Sequence, residues 1–283
     1  MRRHALVITS LPTNKNDMLI YATLSVKDEA DILRESLERA SCWADRIFVV
    51  DNDSEDESAK IARDFGGKVS LLAGFHGAFQ EGLKSIPFNW VNASRTIPRA
   101  DWWCVMDADE VYADDPRKFL AAVPARFGRV CTKTVEFIGL EDESRLLCPG
   151  SYSHYIPLDW SESRFYRNIR SLRWSDFSRN GPAGVGATSP QRIRVTHFPF
   201  RSHAQLRKRI ETRRQNRGMS GIAWSNADYG DVEQFLAHYQ FERRRKNEGP
   251  LEYAPAATNF LATPRDRLVK VAKELLYVAG CYR

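Results

Sequence analysis

Asp107, Asp109 and Glu110 place three carboxylates within four positions, directly after the apolar run Trp102-Trp103-Cys104-Val105-Met106. Such a run is how a buried parallel strand reads when it delivers acids to a sheet edge. Carboxylates crowded this closely repel one another, and each has its pKa pushed up unless a cation sits between them. A divalent ion answers that repulsion. Hard oxygen ligands suit Mg2+ or Mn2+, both of which use one or two protein carboxylates and complete their shell with substrate phosphate oxygens. The alternative for an isolated Asp-x-Asp is a solvated acidic turn. A second acidic pair weighs against it: Asp51 and Asp53 close the run Arg46-Ile47-Phe48-Val49-Val50 in the same way.

The elements that must hold these acids follow from periodicity. Leu19 to Val26 is apolar and β-branched, a first strand. Ala30, Leu33, Leu37 and Ala40 then recur at helical spacing, with Asp28 in position to cap the helix. Arg46 to Val50 is a second strand. Ser54 and Glu57 have capping-box spacing ahead of the stripe Ala59, Ile61, Ala62 and Phe65, which Gly66-Gly67 stops. Val69 to Leu72 is a third strand. Strand, helix, strand, helix, strand predicts a parallel α/β sheet, whose ligands bind beyond the carboxyl ends of the strands where the strand order reverses. Both acidic clusters lie past strand ends, so one crevice can receive both. No Gly-x-Gly-x-x-Gly follows the first strand and no phosphate-binding loop sequence occurs, which sets dinucleotide and P-loop chemistry aside.

Further on, Phe88, Val91 and Ile97 suggest a helix presenting Asn89, Asn92 and Arg95 to the crevice. Asp114-Asp115-Pro116 opens another helix, and Val130 to Ile138 is β-rich. Residues 148–190 are aromatic and loop-rich, with the character of an acceptor wall or lid. Arg192 to His197 alternates as a strand, and basic helices are predicted from 201 to 217, from 231 to 246 and from 265 to 278.

The 283 residues include 43 % hydrophobic and 28 % charged positions, an ordinary globular composition. No run approaches the roughly 18 apolar residues of a membrane span, and the apolar patch after Arg2-Arg3 ends at Ser10, which predicts a cytoplasmic protein. Cys42, Cys104, Cys131, Cys148 and Cys281 form no CxxC pair and read as reduced thiols. Residues 1–150 carry a net charge of −5, so the chain's total of +6 leaves +11 for residues 151–283. That half should face something anionic.

Taken together, Val26-Lys27-Asp28-Glu29, Val49 to Asp56, Asp101 to Glu110 and His197-Phe198-Pro199-Phe200-Arg201-Ser202 resemble the family 2 glycosyltransferases of the GT-A fold, in the bacterial branch that builds lipopolysaccharide and capsule sugars. The resemblance spans residues 19–217. It implies an α/β GT-A fold with a mostly parallel central sheet flanked by helices. The catalytic domain would run from 1 to 200, with a nucleotide-sugar half at about 19–115 and an acceptor half at about 116–200, and a helical basic extension would cover 201–283. It further implies inverting, metal-dependent transfer from a nucleotide-diphosphate sugar, UDP favoured, to a saccharide or lipid-linked acceptor.

By the same resemblance Asp51 would bind the nucleobase, Asp107 the ribose or a metal-bound water, and Asp109 the Mn2+ or Mg2+ bridging the diphosphate, with His197 as a further metal ligand. Ser25, Glu29, Asp53, Asn92 and Arg201 would complete the donor site. Many relatives carry a His-Glu pair after an Arg-x-x-Arg…Trp segment like Arg164-Phe165-Tyr166-Arg167…Trp174. Here Ser175-Asp176 stands in its place, so Asp176 is the first candidate for the base, with Glu162 and Asp142 behind it.

The cations between Arg201 and Arg217 would hold the donor diphosphate, hold an anionic acceptor, or form a solvated helix face. The last helix would rest on an anionic membrane surface or pack on the catalytic domain. A nucleotidyltransferase is the enzymatic rival, and the acidic Lys27-Asp28-Glu29 where it wants a basic loop argues against it. A nucleic-acid binder should interleave aromatics with its cations. None falls between 201 and 217, so no nucleic-acid partner is expected.

Overall fold

The computed structural model describes residues 18–77, 80–175, 180–215, 232–254 and 264–280. Its centre is a ten-stranded mixed sheet. β1 (Ile20–Val26), β2 (Arg46–Asp51), β3 (Val69–Gly74) and β4 (Trp102–Val105) are all parallel, in the order β3-β2-β1-β4. The helices that return the chain are α1 (Leu33–Ser41), α2 (Ser58–Phe65) and α3 (Ser85–Ala93).

Period-two alternation explains how these strands stay buried on both sides. Ile20, Ala22, Leu24, Ile47, Val49, Trp102 and Cys104 face one core with α1 and α2, while Tyr21, Phe48, Trp103 and Val105 face another with Phe88 and Val91 of α3. In the second core Trp103 meets Tyr21 edge-on at 5.7 Å and Phe88 at 5.2 Å between ring centroids.

Antiparallel strands continue the sheet. β8 (Ser163–Arg167) pairs with β4 and with the long β6 (Phe127–Leu140), and β7 (Tyr152–Pro157) pairs with the far end of β6. β9 (Ala187–His197) runs parallel to β6 and pairs antiparallel with β5 (Glu110–Tyr112). Thus the chain leaves β4 at Val105, turns through Asp107 and Asp109, and resumes as β5 in a different part of the sheet. Between β4 and β1 the strand order also reverses. The acids therefore lie where an α/β sheet opens a crevice.

Local chemistry differs from the sequence reading at several points. α4 (Pro116–Ala121) starts as expected, with the Asp115 carboxylate accepting from Arg117 N and Lys118 N. Asp28 does not cap α1, and Ser54 and Glu57 do not form a capping box on α2. These side chains lace the loops after β1 and β2 instead. Glu55 N donates to Asp28 Oδ1 at 2.7 Å, Asp28 N to Ser54 Oγ at 3.1 Å and Ala30 N to Asp56 Oδ2 at 3.0 Å. Asp28 and Asp53 take left-handed φ values of 56° and 60°, which short polar side chains tolerate.

The aromatic stretch after residue 148 is not a lid over its described part. Tyr155, Phe165, Tyr166 and Trp174 are buried, most of them on β7 and β8.

Apolar packing runs across residue 200. α5 (His203–Gln215) packs its Leu206 and Ile210 with Phe200 and with Phe235 of α6 (Val232–His238). The helix expected from 231 to 246 ends at His238. After a turn through Gln240, Arg245 and Lys246 form β10 on the edge of β7. α7 (Pro264–Val278) is the last element, and no helix among the described residues is long and apolar enough to cross a membrane.

Candidate functional site

Two ionic groups, built chiefly from the ends of β1, β4 and β9 and from the interior strand β8, flank the Asp107–Asp109 turn. The first centres on Arg164. Its Nη2 donates to Asp107 Oδ2 at 2.6 Å and to Glu110 Oε1 at 2.7 Å, and also pairs with Glu162. Lys84, buried at the start of α3, pairs with the other oxygen of Asp107. Arg164 sits on β8 because Phe165 beside it pairs with Cys104 of β4, which brings β8 against the strand that carries the acids.

Burial would raise the Asp107 pKa, but Arg164 and Lys84 hold it down at about 2. Burial pushes Glu110 the other way, to about 7, because its single guanidinium partner is shared. One Glu110 oxygen, Oε2, has no hydrogen-bond partner among the described residues.

The second group centres on Asp109. Its Oδ2 faces His197 Nε2 at 3.4 Å, Arg209 Nη1 at 3.1 Å and Arg201 Nη1 at 3.8 Å. Burial would raise this carboxyl, yet His197, Arg209 and Arg201 hold it well below the usual range. His197 Nδ1 in turn lies 3.1 Å from Glu136 Oε2. Burial opposes the imidazolium, and Asp109 and Glu136 outweigh it, keeping the His197 pKa well above its ordinary value. The register explains the arrangement: His197 pairs with Glu110 across β5 and with Glu136 across β6.

Arg201 is fully buried, and donates to Asp31 Oδ2 at 2.8 Å and to Phe198 O at 3.1 Å as well as pairing with Glu29. Glu29 is pushed up to about 7 by burial despite that partner.

The sequence-derived site is therefore only partly assembled as expected. Asp107, Asp109 and His197 do converge on the crevice. Asp107 and Asp109 nevertheless neutralise different cations, and they do not share one ligand set with His197. The oxygens that approach one another are those of Asp107, Glu110 and Glu162, which lie within 4.8 Å and could hold a metal ion. This set fits a hard divalent cation in donor type and spacing. Its centre is taken by the Arg164 guanidinium, so metal binding and Arg164 displacement would be one event. Arg201 is a buried strut whose donors are used by Glu29, Asp31 and Phe198, not a group facing a ligand.

Asn92 is not in the crevice: its Oδ1 accepts from Asn168 Nδ2, which also donates to Ala100 O ahead of β4. Asp142 is exposed, its Oδ1 accepting from Ser144 N at 2.9 Å and Ser144 Oγ at 2.6 Å. Asp176 lies outside the described residues. Asp53 stands at the surface with His76 Nδ1 at 2.6 Å. Ser25 Oγ and Asp51 Oδ1 are buried at the carboxyl ends of neighbouring strands without a hydrogen-bond partner among the described residues. Buried acceptors left open in this way usually await a ligand or water.

Sequence reasoning missed Glu136 and Lys84. Glu136 had a signal, as the acid inside the β-rich run from Val130 to Ile138. Lys84 had none, because only the placement of α3 turns it toward Asp107.

No family model matches this sequence, and no curated protein matches it. The functional reading accordingly stands on the residues of the site.

Proposed function

We propose that this chain is an inverting glycosyltransferase of the family 2, GT-A type, moving a sugar from a nucleotide-diphosphate sugar, UDP favoured, to a saccharide or glycolipid acceptor. The observation that carries the reading is that Ser25 Oγ and Asp51 Oδ1, buried on the adjacent strand ends of β1 and β2 near the switch point of the sheet, have no hydrogen-bond partner among the described residues. An open carboxylate oxygen accepts a hydrogen bond from the imide N–H of uracil, and the neighbouring hydroxyl can serve the base or ribose.

Next to that end of the crevice, Arg209 and His197 are the cations of the second group that are partly exposed, and Lys208, paired with Asp28 after β1, is exposed beside Arg209 in sequence. They are suited to a diphosphate whose charge grows as the glycosidic bond breaks. Arg201 and Glu136 hold Arg209 and His197 in place through Asp109. A divalent ion held by Asp107, Glu110 and Glu162 would add Lewis-acid charge at the leaving phosphate.

Inversion needs a general base, here an ionised carboxylate, to take the acceptor hydroxyl proton. Glu162 has the most open carboxylate of the Arg164 group, 44 % exposed against 30 % for Asp107 and 4 % for Glu110, and is the described acid best placed for it.

A thermal-shift screen of UDP-, GDP-, CMP- and dTDP-sugars, each with Mn2+ and with chelator, tests the reading. A UDP-sugar should raise the melting temperature by mass action, and Asp51→Ala should lose at least about tenfold in UDP affinity, the worth of a hydrogen bond to a charged group. No stabilisation by any nucleotide sugar would sink the proposal.

A further inference from the structure

α7 is oriented against the usual rule for a surface helix. Leu268, Val271, Leu275 and Val278 recur at three- and four-residue spacing and are 70, 53, 64 and 75 % exposed. Val269 and Leu276 widen this apolar face. The side that is partly covered is polar: Lys270, Lys273, Glu274 and Tyr277 are half-buried. That side faces the protein, since α7 packs along β9, burial and the nearby Arg129 lower the Lys273 pKa, and Tyr277 lies close enough to Arg167 to act on its charge. An amphipathic helix ordinarily turns its apolar stripe to the core. Here each outward Leu or Val forgoes the stabilisation that full burial would supply.

Two occupants could claim it, a second copy of the chain or a lipid surface. A helix of 15 residues is about 22 Å long, so its stripe offers a few hundred Å2, well short of the roughly 800 Å2 per partner of a stable protein interface. Charge separates the two further. By sequence α7 carries Arg265, Arg267, Lys270 and Lys273 against Asp266 and Glu274, in the half of the chain with net charge +11, so two copies meeting here would repel while an anionic surface would be attracted.

We infer that α7 is an interfacial helix whose Leu268, Val271, Leu275 and Val278 enter the headgroup region of an anionic bilayer, with the exposed Arg265 reaching lipid phosphates. A large apolar face flanked by cations on a helix too short to span is the physical form of a monotopic anchor. The inference rests on α7 and the charge distribution alone, and holds whatever reaction the crevice performs.

The full chain is sedimented with vesicles of phosphatidylcholine containing phosphatidylglycerol, and with vesicles of phosphatidylcholine alone. The chain should pellet with the anionic vesicles, less so at high salt, and remain in the supernatant with neutral ones. Leu268→Glu with Leu275→Glu should weaken binding more than about tenfold, since each leucine contributes more than a factor of ten if it is buried in lipid. The melting temperature should not change, because both side chains face outward. Arg265→Gln should weaken binding to the anionic vesicles. Failure of the unaltered chain to pellet with anionic vesicles would overturn the inference, as would undiminished binding by the double glutamate variant. So would a concentration-dependent dimer in light scattering that the glutamate pair abolishes.

Discussion

Replacing Arg164 by glutamine removes the cation that Asp107, Glu110 and Glu162 share. The guanidinium is 3 % exposed and its Nη2 alone meets three carboxylates. Taking one partner from a buried ionic group costs about 3–5 kcal/mol, because the remaining charges stay buried without compensation. Glu110, already pushed up to about 7, softens the loss by taking a proton. At about 2–4 °C per kcal/mol for a chain of this size, Arg164→Gln should melt on the order of 10 °C below the parent in chelator at neutral pH.

The same substitution clears the space between three oxygens that lie within 4.8 Å of one another. Mn2+ should then recover much of the loss, about 2.7 kcal/mol once free metal reaches one hundred times its dissociation constant. The parent, whose own guanidinium competes for the space, should respond less. The assay is differential scanning fluorimetry of both proteins across a Mn2+ titration. A variant melting within about 1 °C of the parent would refute the idea that Arg164 holds the acids together. A destabilised variant indifferent to Mn2+ would refute the idea that they form an oxygen site.

Two further outcomes follow from the same residues. Glu110 has its folded pKa raised, so its contribution to stability is complete below its unfolded value and lost as pH rises through about 7. Glu110→Gln should flatten the fall in melting temperature between about pH 5 and 8, a span worth on the order of 3 kcal/mol, and an unchanged pH profile would count against the buried acid. Glu162→Gln separates two uses of that side chain. Loss of turnover with the Mn2+ response retained marks a base, whereas loss of the Mn2+ response marks a ligand, and full activity would remove Glu162 from both roles.

Much of the parallel half was legible because its strands are buried on both faces and so read as continuous apolar runs: Ile20 to Val26, Arg46 to Val50 and Trp102 to Val105 announce themselves. The acids after them were legible for the same reason, as charges that interrupt such runs. What stayed hidden depends on register. Glu136 joins the site only because it falls opposite His197, and the donors around Asp109 come from 88 to 100 residues further along the chain. Caps misled because Asp28 and Ser54 are equally good at closing a helix or lacing two loops, and only the proximity of the β1 and β2 ends decides between them. Asn92 misled because sequence distance from Asp107 does not say which end of the sheet a helix residue reaches.

The pairing of His197 with both Glu110 and Glu136 has a meaning for how the chain finds its fold. Along β9, Ile193 and Val195 are buried while Arg194 between them is exposed. A slip of one position would turn Arg194 inward and the two apolar side chains outward. It would also pull the imidazole away from Asp109 and Glu136. Hydrophobic alternation and ionic pairing therefore reject the same error, and the step that settles β9 against β5 and β6 is the step that completes the crevice. Folding and assembly of the reactive centre are, at this strand, a single act of alignment.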